Sequence, residues 1–157
     1  AYDYKVYNQW LDENIFSFSF FANAANSLNG KDIKLSDRLF LPSSKLRGFE
    51  SGKVGPKDGA DYVGGNYAAS INLATTLPQI MPNLQNINFS VFFDAANIWG
   101  IDYSSSLSDN SKIRSSVGIA VDSFTPIGPL NLSLTEPITK GSNDITESFR
   151  FNIGTTF

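Results

Sequence analysis

The chain is 157 residues long and carries no cysteine and no histidine, which excludes disulfides, thiol nucleophiles, zinc fingers and every histidine-based acid, base or metal ligand. A formal net charge of −3 leaves no basic surplus to neutralise a phosphate backbone, so nucleic acid is excluded as a partner class. Hydrophobic residues make up 41% and charged residues only 17%, with 13 Phe and 6 Tyr: an aromatic-rich, charge-poor balance at a length that suits one domain.

Alternation with period two runs from one end of the chain to the other and helical periodicity is almost absent, so the predicted fold class is all-β. Tyr2, Tyr4, Val6 and Trp10 share one parity against Asp3, Lys5 and Gln9. Phe16, Phe18 and Phe20 alternate with Ser17 and Ser19. After a long irregular stretch, Tyr67, Ala69, Ile71, Leu73 and Leu77 alternate with Ala68, Ser70, Asn72 and Thr76. Ile87, Phe89, Val91 and Phe93 oppose Asn88, Ser90 and Asp94. Ile113, Val117, Ile119 and Val121 oppose Arg114, Ser116, Gly118 and Asp122. Leu130, Leu132 and Leu134 oppose Asn131, Ser133 and Thr135, and finally Phe149, Phe151, Ile153 and Phe157 oppose Arg150, Asn152 and Gly154.

About seven strands result, several of them close to the roughly ten residues that a tilted membrane strand needs. A soluble sandwich has shorter strands and a more charged outer face. Here the second face is mostly Ser, Asn, Thr, Gly and Ala, which suits a hydrated barrel wall whose apolar face meets lipid. No uninterrupted apolar run reaches the roughly 18 residues of a spanning helix.

The connections alternate in length. Asp12 to Asn14 and Thr125 to Pro129 are tight and Pro78 to Asn86 is moderate, whereas residues 28–64, 100–111 and 139–146 are long or polar. Short turns on one rim and long loops on the other are the habit of outer-membrane barrels. An odd number of strands is not, because an open sheet would leave two unpaired edges in hydrocarbon. The pattern therefore predicts an antiparallel transmembrane β-barrel of which this chain, opening on Ala1 rather than Met, is the C-terminal part.

Three segments go beyond generic barrel composition. Leu46, Arg47, Gly48 and Phe49, followed by Gly55, Pro56 and Lys57, lie inside the longest loop. Phe92, Phe93, Asp94, Ala95, Ala96, Asn97, Ile98 and Trp99 close a strand. Pro126, Ile127, Gly128, Pro129 and Leu130 form a turn ahead of the terminal run from Phe149 to Phe157. Together, and over essentially the whole chain, these resemble the C-terminal barrel region of the BamA family of outer-membrane protein assembly factors, within a superfamily that includes TamA and two-partner secretion transporters. Gly64, Gly65 and Asn66 add to the likeness.

The resemblance implies that these are the last strands of about sixteen, preceded elsewhere by more strands and by periplasmic POTRA domains. It implies an outer-membrane location, unfolded outer-membrane proteins as substrates, accessory lipoproteins and membrane lipid as partners, and no cofactor or enzymatic chemistry. It also implies that the Arg-Gly-Phe triplet sits in a loop folded back into the barrel lumen.

An arginine folded into a lumen needs an anionic partner. Asp94 is the best candidate, since it shares the lumen parity with Asn88 and Ser90 and a carboxylate accepts two hydrogen bonds from one guanidinium. Gly48 would let the backbone turn beside it, and Phe49 would wedge against the inner wall. Where the family usually has a second acidic residue this chain has Asn72, which accepts a hydrogen bond but brings no charge, so Glu50 or Asp122 are candidates to compensate. On composition alone Arg47 reads as an ordinary solvated loop arginine, and the family likeness reverses that. For Phe93 and Trp99, lipid contact and the interfacial aromatic belt suffice as an explanation.

By the same resemblance Phe149, Phe151, Ile153, Gly154 and Phe157 look like the β-signal by which outer-membrane proteins are recognised for insertion. Gly154 is expected to loosen the closing strand, giving a seam whose exposed backbone groups template an incoming strand. Gly52 to Gly65 lacks the ending of a phosphate-binding loop and reads as plain loop, and Asp102, Asp109 and Asn110 lack calcium-loop spacing. An assembly barrel is the leading reading. A secretion transporter or a porin is the alternative from another class, and a soluble β-sandwich is the third.

Overall fold

The computed structural model describes residues 1–11, 14–28, 31–78, 86–102, 107, 112–126 and 128–154, with backbone only at residues 10 and 11. Its main element is one antiparallel sheet of seven strands in which chain neighbours are spatial neighbours. These are β1 (Tyr2–Leu11), β2 (Asn14–Ala24), β5 (Tyr67–Thr76), β6 (Ile87–Trp99), β7 (Arg114–Thr125), β8 (Gly128–Thr139) and β9 (Phe149–Ile153). The all-β reading and the seven strands thus stand. The stretch expected to be plain loop departs from it, because β3 (Lys57–Asp58) and β4 (Asp61–Tyr62) form a small hairpin there. Gly59, with φ +60°, supplies the left-handed residue that so short a turn requires.

Register follows the alternation. Ser19 lies opposite Asn72, Asn72 opposite Asp94, and Asp94 opposite Ser116, so one row of polar residues crosses the sheet on a single face. Phe18, Leu73, Phe93 and Val117 form the neighbouring row on the other face. The pairing of β7 with β8 shifts between Ser115 and Ser116, next to Pro137, a residue that cannot donate to a ladder and is tolerated at such a bulge. Because all pairs are antiparallel, the connections over residues 25–66, 100–113 and 140–148 emerge at the same end of the sheet.

The core does not lie between two sheets. It forms where the long loop folds over the polar face, joining Leu41, Leu46, Phe49 and Val54 of the loop to Phe21, Ala68, Ala96 and Ile98 of the strands. The opposite face leaves Ile71, Phe93, Val117, Ile119, Leu134 and Phe151 in the open. A contiguous apolar face of that kind is unusual for a protein bathed in water and normal for one bathed in acyl chains. No helix among the described residues is long and apolar enough to cross a membrane; strands do the crossing in a barrel.

The loop anchor as candidate functional site

Asp94 sits in the middle of β6 on the loop-covered face and is 0% exposed. Arg47 reaches it from the loop. Its Nε donates to Asp94 Oδ2 and its Nη2 to Oδ1, both at 2.7 Å, and its backbone amide adds a third bond to Oδ2 at 3.0 Å. Two parallel charge-assisted bonds match the fork of a guanidinium to the two oxygens of a carboxylate. The guanidinium carbon also lies 3.5 Å from the centroid of the Phe92 ring, within cation–π range. The doublet Phe92–Phe93 therefore splits between the faces, with Phe92 buried under the arginine and Phe93 turned outward. Sequence reading placed Phe93 on the outer face and left Phe92 without a role, although its parity with Asp94 is the signal that assigns it one.

The rest of the triplet is shaped around this pair. Gly48 has φ +86°, and a Cβ there would stand 2.5 Å from Thr135 Cγ2 and 3.3 Å from Ser116 Cβ, so the backbone presses on the wall where only hydrogen fits. Ser116 Oγ donates to the Arg47 carbonyl at 2.6 Å. Leu46 and Phe49, on either side, are buried in the core cluster. Two apolar plugs thus flank the polar anchor and its glycine.

Asn72 is beside the site but does not touch the arginine. Its Nδ2 donates to Asp94 Oδ1 and to the Lys45 carbonyl, both at 2.9 Å, and Ser70 Oγ donates to its Oδ1 at 3.3 Å. The expectation that Asn72 accepts from Arg47 is corrected on a simple ground: Asp94 already occupies the fork, and what the carboxylate still needs is a donor. Neither residue named as a compensating charge takes that part. Asp122 accepts from Asn131 Nδ2 at 2.6 Å well away along β7, and Glu50 is exposed.

Further anchors hold the loop at other places. Arg150 on β9 donates to the carbonyls of Ser43 at 3.0 Å and Phe49 at 2.7 Å, and pairs with Glu147 at 2.7 Å. Lys45 pairs with Asp3 of β1 at 2.7 Å. Arg114, at the start of β7, is bound by Asp144 at 2.8 Å and by Asn97 Oδ1 at 2.8 Å. At the rim, Arg38 pairs with Asp102, which also accepts from the Ile33 amide and from Asn66 Nδ2, both at 3.0 Å. Burial pushes Asp102 up, but the bonds from Ile33, Asn66 and Arg38 and the charge of Arg38 outweigh it and hold the carboxyl below its ordinary range. Parity puts Arg114 and Arg150 on the polar face; what it does not give is the loop backbone that Arg150 meets or the Asp144 carboxylate that binds Arg114.

Of the terminal run, Phe149, Phe151 and Ile153 point outward and are exposed, while Arg150 and Asn152 face the loop side. Gly154 does not loosen the strand from within, because β9 ends at Ile153. Gly154 follows it with φ +107°, its amide bonded to the Pro129 carbonyl at 2.9 Å. Phe157, Ile127, Asp109 and Asn110 lie outside the described residues. Among the described residues no group of three or more carboxylates is placed to hold a metal ion.

Comparison with known proteins agrees with this geometry. The model of the Omp85 superfamily domain matches residues 1–157. The chain is 30% identical over 141 residues to the outer membrane protein assembly factor BamA of Neisseria meningitidis, covering 71% of this chain and 17% of that protein. It is 31% identical over 142 residues to a SAM50-like protein of Schizosaccharomyces pombe, covering 85% of this chain and 30% of the relative. The crystal structure of BamA from Haemophilus ducreyi lacking POTRA domains 1–3 superposes with a TM-score of 0.84 at 28% identity, covering 95% of this chain and 33% of the other. The chain thus spans less than a third of the relatives' length. With its polar row facing a docked loop and its apolar row facing out, this chain belongs to the Omp85 superfamily and is a stretch of outer-membrane β-barrel wall.

Proposed function

We propose that this stretch of wall serves an assembly barrel that inserts outer-membrane proteins, with the docked Arg-Gly-Phe loop as its internal support. The observation that carries the reading is the fork between Arg47 and the fully buried Asp94, which fixes a loop of about forty residues against the wall at one register. An assembly barrel needs its interior strands held in register while its edge strands exchange partners. The work done is exchange of backbone hydrogen bonds at a sheet edge, by strand addition, with no covalent step. Its partners are unfolded outer-membrane proteins, accessory lipoproteins of the assembly complex and the surrounding lipid, and Phe149, Phe151 and Ile153 belong to the signal of its own insertion.

The test is depletion and complementation. Cells that rely on the full-length protein carrying Arg47→Ala should lose outer-membrane protein levels and grow poorly, while the unaltered purified protein in planar bilayers passes little steady current. Normal assembly in those cells, or a large steady conductance of the unaltered protein, would remove the reading.

A further inference from the structure

β9 is the shortest strand of the main sheet, five residues long, and with β1 it is one of the two edges of the described sheet. A strand of that length frays readily, because few backbone bonds tie it to its neighbour β8. The structure gives it a second support that the sheet does not supply. Just before β9, residues 145–147 pair with the loop. The Glu50 amide donates to the Ile145 carbonyl at 2.9 Å, the Glu147 amide to the Gly48 carbonyl at 3.0 Å, and the Ile145 amide to the Lys53 carbonyl at 3.1 Å. Phe49 and Thr146 form an isolated antiparallel bridge in the middle of this set. Inside β9 itself, Arg150 spans two separate points of the loop, Ser43 and Phe49, with Glu147 holding the same guanidinium.

The hydrogen bonds that Arg47 makes go to interior strands, to Asp94 on β6 and from Ser116 on β7. Arg150 is the side chain within β9 that carries the docked triplet to the edge, through the Phe49 carbonyl. From this we infer that the Arg-Gly-Phe loop is the inner buttress of β9, with Arg150 the positioning residue that couples loop docking to pairing of the edge strand. Coupling of this kind is reciprocal: whatever undocks the loop weakens β9, and whatever peels β9 away weakens the docked loop by the same factor. Lysine cannot replace the arginine fully, since an ammonium offers a point charge where two carbonyls need a planar fork. The consequence for function rests on the assembly reading, in which an edge strand must be released on cue; the coupling itself is independent of it.

Residue-resolved amide exchange on the full-length barrel in lipid nanodiscs tests the coupling. Three amides report separately. Gly154, bonded to Pro129, reads β9 pairing at the end remote from the loop; Arg47, bonded to Asp94, reads loop docking at a wall remote from Arg150; Leu77, bonded to Phe89, is the control. Arg150→Gln should speed exchange at both Gly154 and Arg47 by about tenfold, the scale of one lost charge-assisted bond, and leave Leu77 unchanged. Arg150→Lys should fall between, and supplies the same comparison if the glutamine variant does not fold. Arg47→Ala, which touches nothing in β9, should speed Gly154 as well. Exchange at Gly154 unmoved by Arg47→Ala, or Leu77 rising in step with the other two, would overturn the inference. Failure of the assembly reading would instead show in complementation, with these exchange rates unaffected.

Discussion

Two arginines hold the same loop, and they do so in opposite surroundings. At the wall, Arg47 is partly open, its side chain 23% exposed, while its acceptor Asp94 is closed off at 0%. At the rim the order is reversed, with the Arg38 side chain 1% exposed and Asp102 29%. Water can therefore stand in for Asp102's partner but not for Asp94's. A carboxylate sealed in the wall tolerates one conformation of the loop, which makes it a register pin. A carboxylate at the rim tolerates several, which makes it a tether.

The sharpest way to break this contrast is to remove each half of the wall pair in turn. Arg47→Ala leaves a buried carboxylate without its cation and should cost about 3–5 kcal/mol of loop docking or barrel stability. Asp94→Ala should cost less, because the freed guanidinium is already partly open and can turn to water while keeping the Phe92 ring. Urea unfolding in micelles, with protease cleavage of the loop as a second probe, orders the two. Equal losses, or the reverse order, would mean that burial of the acceptor does not decide the strength of the anchor.

Gly48 sharpens the same contrast from the backbone side. Gly48→Ala keeps both charges but meets a φ of +86° and Thr135 Cγ2 at 2.5 Å, so it should loosen the pin by about 1–3 kcal/mol. Adding Thr135→Ser removes that methyl and should recover the steric part and leave the backbone strain. Full recovery would assign the whole cost to the methyl. No recovery would assign it to φ alone.

Which parts of this were legible in the sequence follows from where each force acts. Parity is a local property, so the outward Phe93 and Phe151 and the inward Asp94 and Arg150 could be read from spacing, and the register of the sheet confirms it. The pairing of Arg47 with Asp94, separated by 47 residues, needed the family likeness because nothing in the composition of a loop says which wall residue it meets. That Asn72 donates to Asp94 and does not accept from Arg47 is not legible either, since which of its amide atoms faces the site depends on a third residue already engaged. Arg38 with Asp102, at a separation of 64, had no local signal at all, and neither did the bridge of Phe49 to Thr146. Short elements in long loops, such as the hairpin over β3 and β4, are stabilised by what they lie on and escape periodicity for that reason.

The tether offers the mildest test, and its sign is fixed by linkage. Asp102 is held below its ordinary range in the folded state, so it contributes stability that is fully present above the unfolded carboxyl value, about 3.9, and lost as pH falls through the folded one. From pH 7 down to about 4 the tether should therefore hold, and below that the Ile33 amide, which donates to Asp102 Oδ2, should lose protection. The effect is small, about 1 kcal/mol or less, because an ion pair open to water at one partner is worth no more. Asp102→Asn should release the Ile33 amide at pH 7 and abolish its acid dependence, while in the same variant at pH 7 the Arg47 amide on Asp94 stays protected. Release of the Ile33 amide between pH 5 and 7 would contradict the lowered Asp102, and loss of protection at both amides in Asp102→Asn at pH 7 would mean that rim and wall are one anchor rather than two, with no leg of the loop free to move while its centre is pinned.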